Sequence, residues 1–380
     1  MAELSRSGGG GVGLCPSIPH RAILGLVRAA VGGHAGETLV ADLGNSNPDD
    51  LVRIAVFNYV HVVLAGAFDR FPELAGAVPR DLVIFAEEMH TANQRRNASI
   101  RQQLVDIGSA LSGEGIRAVA LKGGAELLSP LYPEPAYRFL SDADILVAEH
   151  HLDKAVAAVR ALGAVEGQRE ATDKPFQHHY WPLHHADWPV PVELHLSVGR
   201  PDVSKVLAAK DILRRADFIP GTGLGVPSRA HRMAHSALHA QVSSGNYAAG
   251  LLSLRDAMEF EVLTRSLGEA EISQARELLD RADMRQPWDA LAAASTLVFG
   301  GQAQHEAFAP DARRWAETAI VNFGRPRQQR AVAMVRWATG RAGEFIGNPE
   351  QRRRYLRFLT HPGLLRNALA QHLEKWRRMR

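Results

Sequence analysis

Two carboxylates stand two residues apart at the start of an apolar run. The segment from Ser141 to Val147 reads Ser-Asp-Ala-Asp-Ile-Leu-Val, which predicts a strand with Asp142 and Asp144 on the same face. Like charges in one small volume are unfavourable unless cations neutralise them, and carboxylate oxygens on a rigid strand suit Mg²⁺ or Mn²⁺. The pair therefore indicates a divalent-metal site. An Asp-x-Asp pair in a surface loop is the alternative that spacing alone leaves open.

A glycine pair precedes these acids along the chain. Lys122-Gly123-Gly124 follows the apolar segment from Ile116 to Leu121, which predicts a buried strand, and precedes the pattern of a short helix. At such a junction, backbone N–H groups can approach phosphate oxygens closely. An ordinary strand-to-helix turn is the alternative interpretation.

A third acid follows the pair. Residues 190–196 alternate so that Glu193 and His195 share one face of a predicted short strand. This strand would make another carboxylate available to a metal site. Pro189 and Pro191 also suit a strand at the sheet edge, where Glu193 would be an exposed surface acid.

The chain divides into four segments with different residue patterns. Residues 1–19 contain a glycine run and predict a disordered tail, whereas residues 20–113 have helical spacing of apolar residues. Residues 114–200 alternate between strand and helix patterns, which predicts a mixed core too small for a complete doubly wound nucleotide-binding domain. Helical spacing returns over residues 201–380. The expected fold class is α+β, a small mixed sheet flanked by helical regions.

Within these segments the sequence predicts particular elements. Helices are expected over residues 51–68, over residues 79–111 as one long helix or two short ones, and over residues 151–162. Strands are expected at residues 116–121, 142–147, 177–183 and 191–196. The stretch 351–380 mixes leucines with arginines and predicts an amphipathic helical cap.

Composition restricts the class of protein. The 380 residues are 46% hydrophobic, enough for a substantial core, and 44 basic against 41 acidic residues leave a net charge of only +3. The single cysteine, Cys15, excludes intramolecular disulfides and favours a reducing cytoplasm. Neither a secretory signal nor an uninterrupted membrane-spanning segment is expected, because charged residues break every apolar stretch.

In order along the chain, these motifs are similar to those of a known family. They are Leu-Lys-Gly-Gly-Ala at 121–125, Leu-Tyr-Pro at 131–133, Arg138, the Asp-x-Asp strand, and Val-Pro-Val-Glu-Leu-His at 190–195. They resemble a family of uncharacterised bacterial nucleotidyltransferases of the DNA-polymerase-β superfamily, over about residues 116–198 and more loosely to about Leu263. The interval between Gly124 and Asp142 is longer than in compact members, and Ala125 stands where many have serine.

The resemblance implies a site and a reaction. Asp142, Asp144 and Glu193 would be the catalytic residues and would bind two Mg²⁺ or Mn²⁺ ions. A nucleoside monophosphate would pass from a nucleoside triphosphate, with ATP expected, to a small-molecule, peptide or protein acceptor. Contacts to the nucleotide are expected from Lys122, Gly123, Gly124, Arg138, Ser141 and His195. Lys122 and Arg138 could equally be solvated surface residues. Neither nucleic acid nor a membrane is expected as a partner.

Histidines recur near this chemistry. His231, His235 and His239 are spaced to lie along one helix face, where they could bind a transition metal or touch a nucleotide. Because no acid at matching spacing completes a zinc site, partly buried histidines facing the catalytic cleft are the preferred interpretation, and Asp256 could orient one of them. The cluster from His178 to His185 could line an acceptor pocket or form a cross-strand surface cluster.

Three other functions are alternatives, and the sequence offers an argument against each of them. An Asp-x-Asp glycosyltransferase using a nucleotide sugar would need a longer α/β domain ahead of the acids, where this chain has helical patterns. A non-catalytic nucleotide-binding or interaction module is the other alternative, and the three intact acids count against it. A nucleic-acid polymerase or tRNA-processing enzyme is disfavoured by the near-neutral charge. The arginine runs at 352–354 and 377–380 are interleaved with leucines, which favours a packed helix with a solvated basic face.

Overall fold

Six α-helices precede the sheet in the computed structural model, which describes residues 16–167, 179–199, 201–300 and 308–323. They are α1 (Ile18–Gly32), α2 (Leu39–Gly44), α3 (Pro48–Phe57), α4 (Leu64–Arg70), α5 (Pro72–Gly76) and α6 (Arg80–Gly113). Helix α1 begins inside the segment 1–19 predicted as a tail, and residues 1–15 lie outside the described residues.

The single helix predicted over residues 51–68 is wrong, because the segment forms two helices. Helix α3 begins as its sequence predicts, since the Asn47 side chain accepts a hydrogen bond from the N–H of Asp49 at 2.9 Å. The chain leaves the helix after Phe57, because Tyr59 has a left-handed φ of 56°. A 3₁₀ turn over His61–Val63 then leads into α4.

Helix α6 settles the choice between one long helix and two short ones. It runs unbroken for 34 residues, a length of about 51 Å. Its buried face carries polar residues as well as leucines and isoleucines: Asn93, Asn97 and Gln103 are each at most 4% exposed. The helix therefore has polar groups available to hold neighbouring segments.

The described strands form one mixed sheet. They are β1 (Ala118–Ala120), β2 (Ala143–Val147), β3 (Val165–Glu166), β4 (Leu183–His184), β5 (Val192–His195), β6 (Asp217–Phe218) and β7 (Leu224–Val226). Their order is β3-β4-β5-β2-β1-β7-β6. The pairs β2–β5 and β1–β7 are parallel, and the remaining neighbours are antiparallel. A mixed sheet flanked by helices confirms the α+β class.

The predicted strands are found with shorter bounds, and three of the described strands, β3, β6 and β7, were not predicted. The patterns at 116–121, 142–147 and 191–196 correspond to β1, β2 and β5. In the segment 177–183, His179 forms an isolated bridge and β4 begins at Leu183, while residues 177 and 178 lie outside the described part of the chain. Strands β6 and β7 lie beyond residue 200, in a segment predicted to be helical.

The turn between β6 and β7 explains these two strands. Gly223 has a φ of 67°, and a Cβ there would lie 2.2 Å from the carbonyl oxygen of Gly108 in α6. Only glycine lets the hairpin approach the helix so closely. The Pro-Gly-Thr-Gly sequence is thus a hairpin turn against α6, where the sequence indicated only an interruption between helices.

Two described helices lie between β1 and β3 along the chain, and the remaining described helices follow β5. The first set is α7 (Lys122–Leu128) and α8 (Leu152–Ala161). The second set is α9 (Pro201–Val206), α10 (Ala209–Arg215), α11 (Arg229–Leu238), α12 (Asn246–Ala249), α13 (Leu254–Ser266), α14 (Glu269–Asp280), α15 (Arg285–Phe299) and α16 (Pro310–Phe323). The predicted amphipathic cap at 351–380 lies outside the described residues.

The two faces of the sheet contribute to different hydrophobic clusters. Ala143, Ile145 and Val147 of β2 pack in a cluster with residues of α6 and α8. Leu146 packs in a second cluster, which joins helices from before and after the sheet. The alternation follows the two-residue period of a strand. Asp144 therefore projects from the face that the second, helical cluster covers.

Among the described helices, none is long and apolar enough by itself to cross a membrane. One bent pair, Pro48–Phe57 with His61–Arg70 at 113°, meets the length and composition criteria only when its two parts are taken together.

Candidate active site

Strand pairing places two of the predicted acids opposite each other. In the parallel pair β2–β5, Asp144 is in register with Glu193. On the other side of β2, the N–H of Leu121 donates to the carbonyl oxygen of Asp144 at 2.9 Å, so the end of β1 lies beside the same residue. Residues far apart in sequence therefore converge at one point of the sheet.

Within the described part of the chain, Asp144, Glu193 and His195 form a cluster of potential metal ligands. One ligand atom from each of the three lies within 4.8 Å of the others. His195 Nε2 is 2.6 Å from Asp144 Oδ1 and 3.5 Å from Glu193 Oε2. A further histidine, His179, has its Nε2 3.7 Å from Glu193 Oε2. The glutamate thus faces the aspartate and does not project from a sheet edge.

Lys122 supplies a cation to this cluster. Its Nζ lies 3.1 Å from Asp144 Oδ1, and its side chain is 24% exposed. The residue has a left-handed φ of 46°, which is uncommon for a residue other than glycine and is found more often at functional sites. This conformation joins the end of β1 to α7 and brings the ammonium group to the acid pair.

The cluster favours the charged form of each of its three members: the pKa of each acid is lowered and that of the histidine is raised. Burial alone would raise the pKa of Asp144, which is 2% exposed, but Lys122 and then His195 hold it well below its usual range. Burial also opposes ionisation of Glu193, whose pKa is nevertheless lowered by its hydrogen bond with His195. Burial would lower the pKa of His195, but the two carboxylates raise it to about 9. Both acids are therefore ionised, and His195 carries a proton at neutral pH.

Asp142 lies at the edge of this cluster. It immediately precedes β2, is partly buried, and accepts a hydrogen bond from the Ser141 hydroxyl at 3.2 Å. Burial, and next the charge of Asp144, raise its pKa. Asp142 is thus electrostatically coupled to the site. It is not one of the three residues, Asp144, Glu193 and His195, whose potential ligand atoms lie within 4.8 Å of one another.

The two glycines after Lys122 differ in what surrounds them. Both lie in the first turn of α7. A Cβ on Gly123 would be 2.6 Å from Leu140 Cγ, whereas a Cβ on Gly124 would be 3.5 Å from its nearest neighbour, the Ala120 Cβ. Gly123 is therefore required by close packing against the segment that leads into β2, and Gly124 is not required by packing.

Helix α6 holds the segment that carries Arg138. The Asn97 amide donates to the carbonyl oxygens of Pro135 and Arg138 at 2.9 and 2.8 Å. The Asn93 amide donates to those of Ala136 and Arg138 at 2.6 and 3.1 Å. These bonds satisfy carbonyl groups of the short 3₁₀ helix Pro135–Tyr137 and of Arg138, which follows it, and fix the approach to β2.

Arg138 is buried and ion-paired, which departs from the solvated alternative considered for it. It is 7% exposed, and its Nη2 lies 3.0 Å from Glu259 Oε2 of α13. Burial opposes ionisation, but the charge of Glu259 raises the pKa of Arg138. The guanidinium group is therefore charged inside the protein.

A pocket, here called the polar pocket, opens next to Lys122. It is lined chiefly by Lys122, Arg138, Arg232, His235, His239 and Glu259. Helix α11 ends in a π-helical turn that begins at His239 and places its ring 6.3 Å from that of His235. Two of the three spaced histidines thus face this pocket, whereas all three were expected to face the catalytic cleft.

The other residues considered with these histidines lie in three different surroundings. His231 is hydrogen-bonded to Ser228 Oγ at 2.7 Å and is not part of the pocket lining. Asp256 pairs with Arg255 at 3.0 Å and lies on the pocket wall. Of the cluster from His178 to His185, the described His179 reaches the acids, and His178 lies outside the described residues.

Sequence patterns did not reveal the buried ion pairs around the pocket. Arg232 of α11 pairs with Glu126 of α7, and both side chains are 5% exposed. The partners are 106 residues apart. Helical patterning can predict that each lies on a helix, but it carries no signal that pairs them.

The donor set fits a divalent cation. Carboxylate oxygens suit Mg²⁺ and Mn²⁺, and an imidazole nitrogen suits transition metals. Lys122 and protonated His195 now provide the positive charge that the buried carboxylates require. Asp144 and Glu193, with His195 once deprotonated, would hold the ion, and Asp142 is near enough to act on it electrostatically.

Comparison with known proteins agrees with this chemistry. Residues 44–300 match the model of a family described as uncharacterised nucleotidyltransferase. The match runs from the end of α2 through α15 and includes the acids, Lys122 and the polar pocket. No curated protein matches the chain significantly. Because the match covers more than half of the chain, the protein belongs to this family of uncharacterised nucleotidyltransferases.

Proposed function

We propose that the protein transfers a nucleoside monophosphate from a nucleoside triphosphate to a small-molecule, peptide or protein acceptor. ATP is the triphosphate to be tested first, and Mg²⁺ or Mn²⁺ is the proposed cofactor. The main support is the register of Asp144 with Glu193 on adjacent parallel strands, beside Lys122 and His195. Membership of a nucleotidyltransferase family supports the reaction class.

In the proposed reaction, an acceptor oxygen or nitrogen forms a bond to the α-phosphorus of the triphosphate. The bond from that phosphorus to the bridging oxygen breaks, and pyrophosphate leaves with both electrons of the bond. A bound divalent ion would stabilise the attacking and leaving groups. Asp142, Asp144 and Glu193 are the proposed catalytic acids, and Glu193 would also take the acceptor's proton.

The other proposed contacts come from the elements around these acids. Lys122 would exchange its bond with Asp144 for a phosphate oxygen, which its exposed fraction of 24% allows. Gly123 and Gly124 would let the backbone approach the triphosphate, and Ser141 would contact it from the other side of the acids. Arg138 is buried against Glu259, and it would contact the nucleotide from the polar pocket.

One observation favours a second candidate, a non-catalytic nucleotide-binding module. Lys122 and His195 already neutralise Asp144, so the cluster has its charge balanced within the protein. A module of this kind would bind a triphosphate and transfer nothing.

The test compares matched variants of buried aspartates. The purified chain is incubated with each α-labelled ribonucleoside triphosphate, Mg²⁺ or Mn²⁺, and an extract containing small molecules and proteins. Asp144→Asn should reduce formation of labelled product by about 100-fold or more, because it removes a proposed ligand of the ion. Asp42→Asn is the control, since Asp42 is also a buried aspartate paired with a cationic side chain, that of Arg21, but lies in α2.

The outcomes separate the candidates. Labelled product from the wild type and from Asp42→Asn, but not from Asp144→Asn, supports nucleotidyl transfer. Triphosphate binding by calorimetry without any product favours the non-catalytic module. If the wild type neither binds nor consumes any triphosphate, the proposed function is refuted.

A further inference from the structure

The polar pocket contains buried polar atoms that no described protein group satisfies. Arg138 Nε and Nη1, Arg232 Nε and His235 Nε2 have no hydrogen-bond partner within the described part of the chain. All three residues line the same pocket, and each is at most 7% exposed. Buried polar atoms are almost always paired in folded proteins, so several together at one pocket point to a ligand.

The charges around the pocket restrict what that ligand can be. Each charged group has a counter-ion: Arg138 pairs with Glu259, Arg232 with Glu126, and Lys122 with Asp144. Asp256 on the pocket wall likewise pairs with Arg255. Burial, and then the charge of Lys122, lower the pKa of His235 to about 3 and that of His239 to about 4. Both histidines are therefore uncharged at neutral pH.

A ligand with a net charge would disturb this balance. An anion would lie beside the carboxylates of Glu259 and Asp256, and a cation beside the ammonium group of Lys122. In either case one buried charge would have no partner, which is strongly unfavourable. An uncharged polar group avoids that cost. Its oxygen can accept from the free guanidinium N–H groups, and it can also bond to a neutral imidazole, which has one donor and one acceptor nitrogen.

We propose that the polar pocket binds an uncharged, hydrogen-bonding group of a substrate, an amide or a hydroxyl, through Arg138, Arg232 and His235. That the ligand is a substrate rests on the proposed function, because the pocket adjoins Lys122 and hence the acids. The group belongs either to the nucleoside part of the triphosphate or to the acceptor. The triphosphate chain would reach only the Lys122 edge of the pocket, and its charge excludes it from the part lined by Arg138, Arg232, His235 and Glu259.

Three small probes of nearly the same shape test this assignment. Acetamide is neutral, acetate is an anion and acetamidinium is a cation. Their dissociation constants for the full-length protein are measured by ligand-observed saturation-transfer NMR at neutral pH in EDTA. Acetamide should bind at least about tenfold more tightly than either charged probe.

A pair of histidine variants locates the binding. His235→Phe removes the unpaired ring nitrogen and keeps a planar side chain at this buried position, and acetamide affinity should fall by about tenfold or more. His231→Phe changes the same helix one turn earlier, outside the pocket lining, and should bind acetamide as the wild type does. Circular dichroism of both variants verifies that they are folded.

Adding each ribonucleoside triphosphate with Mg²⁺ distinguishes the two sources of the group. Displacement of acetamide assigns the pocket to the nucleoside, and simultaneous binding assigns it to the acceptor. The proposal is overturned if acetate or acetamidinium binds as tightly as acetamide, if none of the probes binds, or if His235→Phe leaves acetamide binding unchanged. Acetamide binding without binding of any triphosphate would refute the proposed function and leave the pocket's preference for neutral groups intact.

Discussion

Replacing His235 by phenylalanine should change how the stability of the protein depends on pH. His235 is 4% exposed, and burial, followed by the charge of Lys122, lowers its pKa from 6.5 to about 3 in the folded protein. Between these two pH values the unfolded chain binds a proton at this histidine and the folded protein does not. The free energy of unfolding is therefore highest above pH 6.5 and falls as the pH is lowered toward about 3.

The size of the effect follows from proton linkage. One such histidine lowers the free energy of unfolding by about 1.4 kcal/mol for each pH unit of acidification within that window. Phenylalanine cannot bind the proton, so this contribution disappears in His235→Phe. Relative to the wild type, the variant should gain roughly 2 kcal/mol between pH 6.5 and pH 5. His239, whose pKa is lowered to about 4, contributes equally to both proteins and cancels in the comparison.

Equilibrium denaturation by urea at a series of pH values between 7.5 and about 4.5, in EDTA, measures this difference. The two proteins should show diverging free energies of unfolding below pH 6.5 and a constant difference above it. Parallel dependence on pH for wild type and His235→Phe would show that the pKa of His235 is the same in the folded and the unfolded protein. The lowered pKa, from which the uncharged state of this pocket histidine is argued, would then be wrong.

The remaining predictions concern packing and a buried ion pair near the site. Gly123→Ala should lower the free energy of unfolding by about 1–3 kcal/mol, because its Cβ would lie 2.6 Å from Leu140 Cγ in a filled core. Gly124→Ala meets only ordinary contacts and should leave the free energy of unfolding unchanged or raise it by up to about 1 kcal/mol. Thermal and urea unfolding should therefore show a loss of stability in Gly123→Ala and none in Gly124→Ala. Glu126→Gln should cost about 3–5 kcal/mol in urea unfolding, because Arg232 stays buried without its counter-ion. Replacing both partners by leucine and methionine should cost less, and an equal or greater loss would contradict this explanation.

Much of the site could be predicted because the relevant information is local. The alternation around Asp144 and around Glu193 predicted short strands with acids on one face, and both strands are present. The glycines after Lys122 correctly indicated a junction between a strand and a helix. Such patterns depend on the two-residue period of a strand, which neighbouring residues alone reveal.

Errors and gaps arose where distant residues decide the outcome. The break at Tyr59 divides a segment whose apolar spacing looks continuous, and the hairpin of β6 and β7 exists because Gly223 fits against α6. The solvated alternative for Arg138 overlooked Glu259, which lies on a helix more than a hundred residues later. For the hairpin and for Arg138, a tertiary contact outweighs the local preference.

Local patterns identified the reactive groups: two aspartates on one predicted strand and a glutamate on another, a lysine at a glycine turn, and histidines at helical spacing. How these groups combine depends on the fold. The parallel register of β2 with β5 sets Glu193 against Asp144, and His195 and Lys122 then make the two buried charges tolerable. The physical reason is that periodicity depends on chain neighbours, whereas electrostatic compensation of a buried charge depends on distance in space.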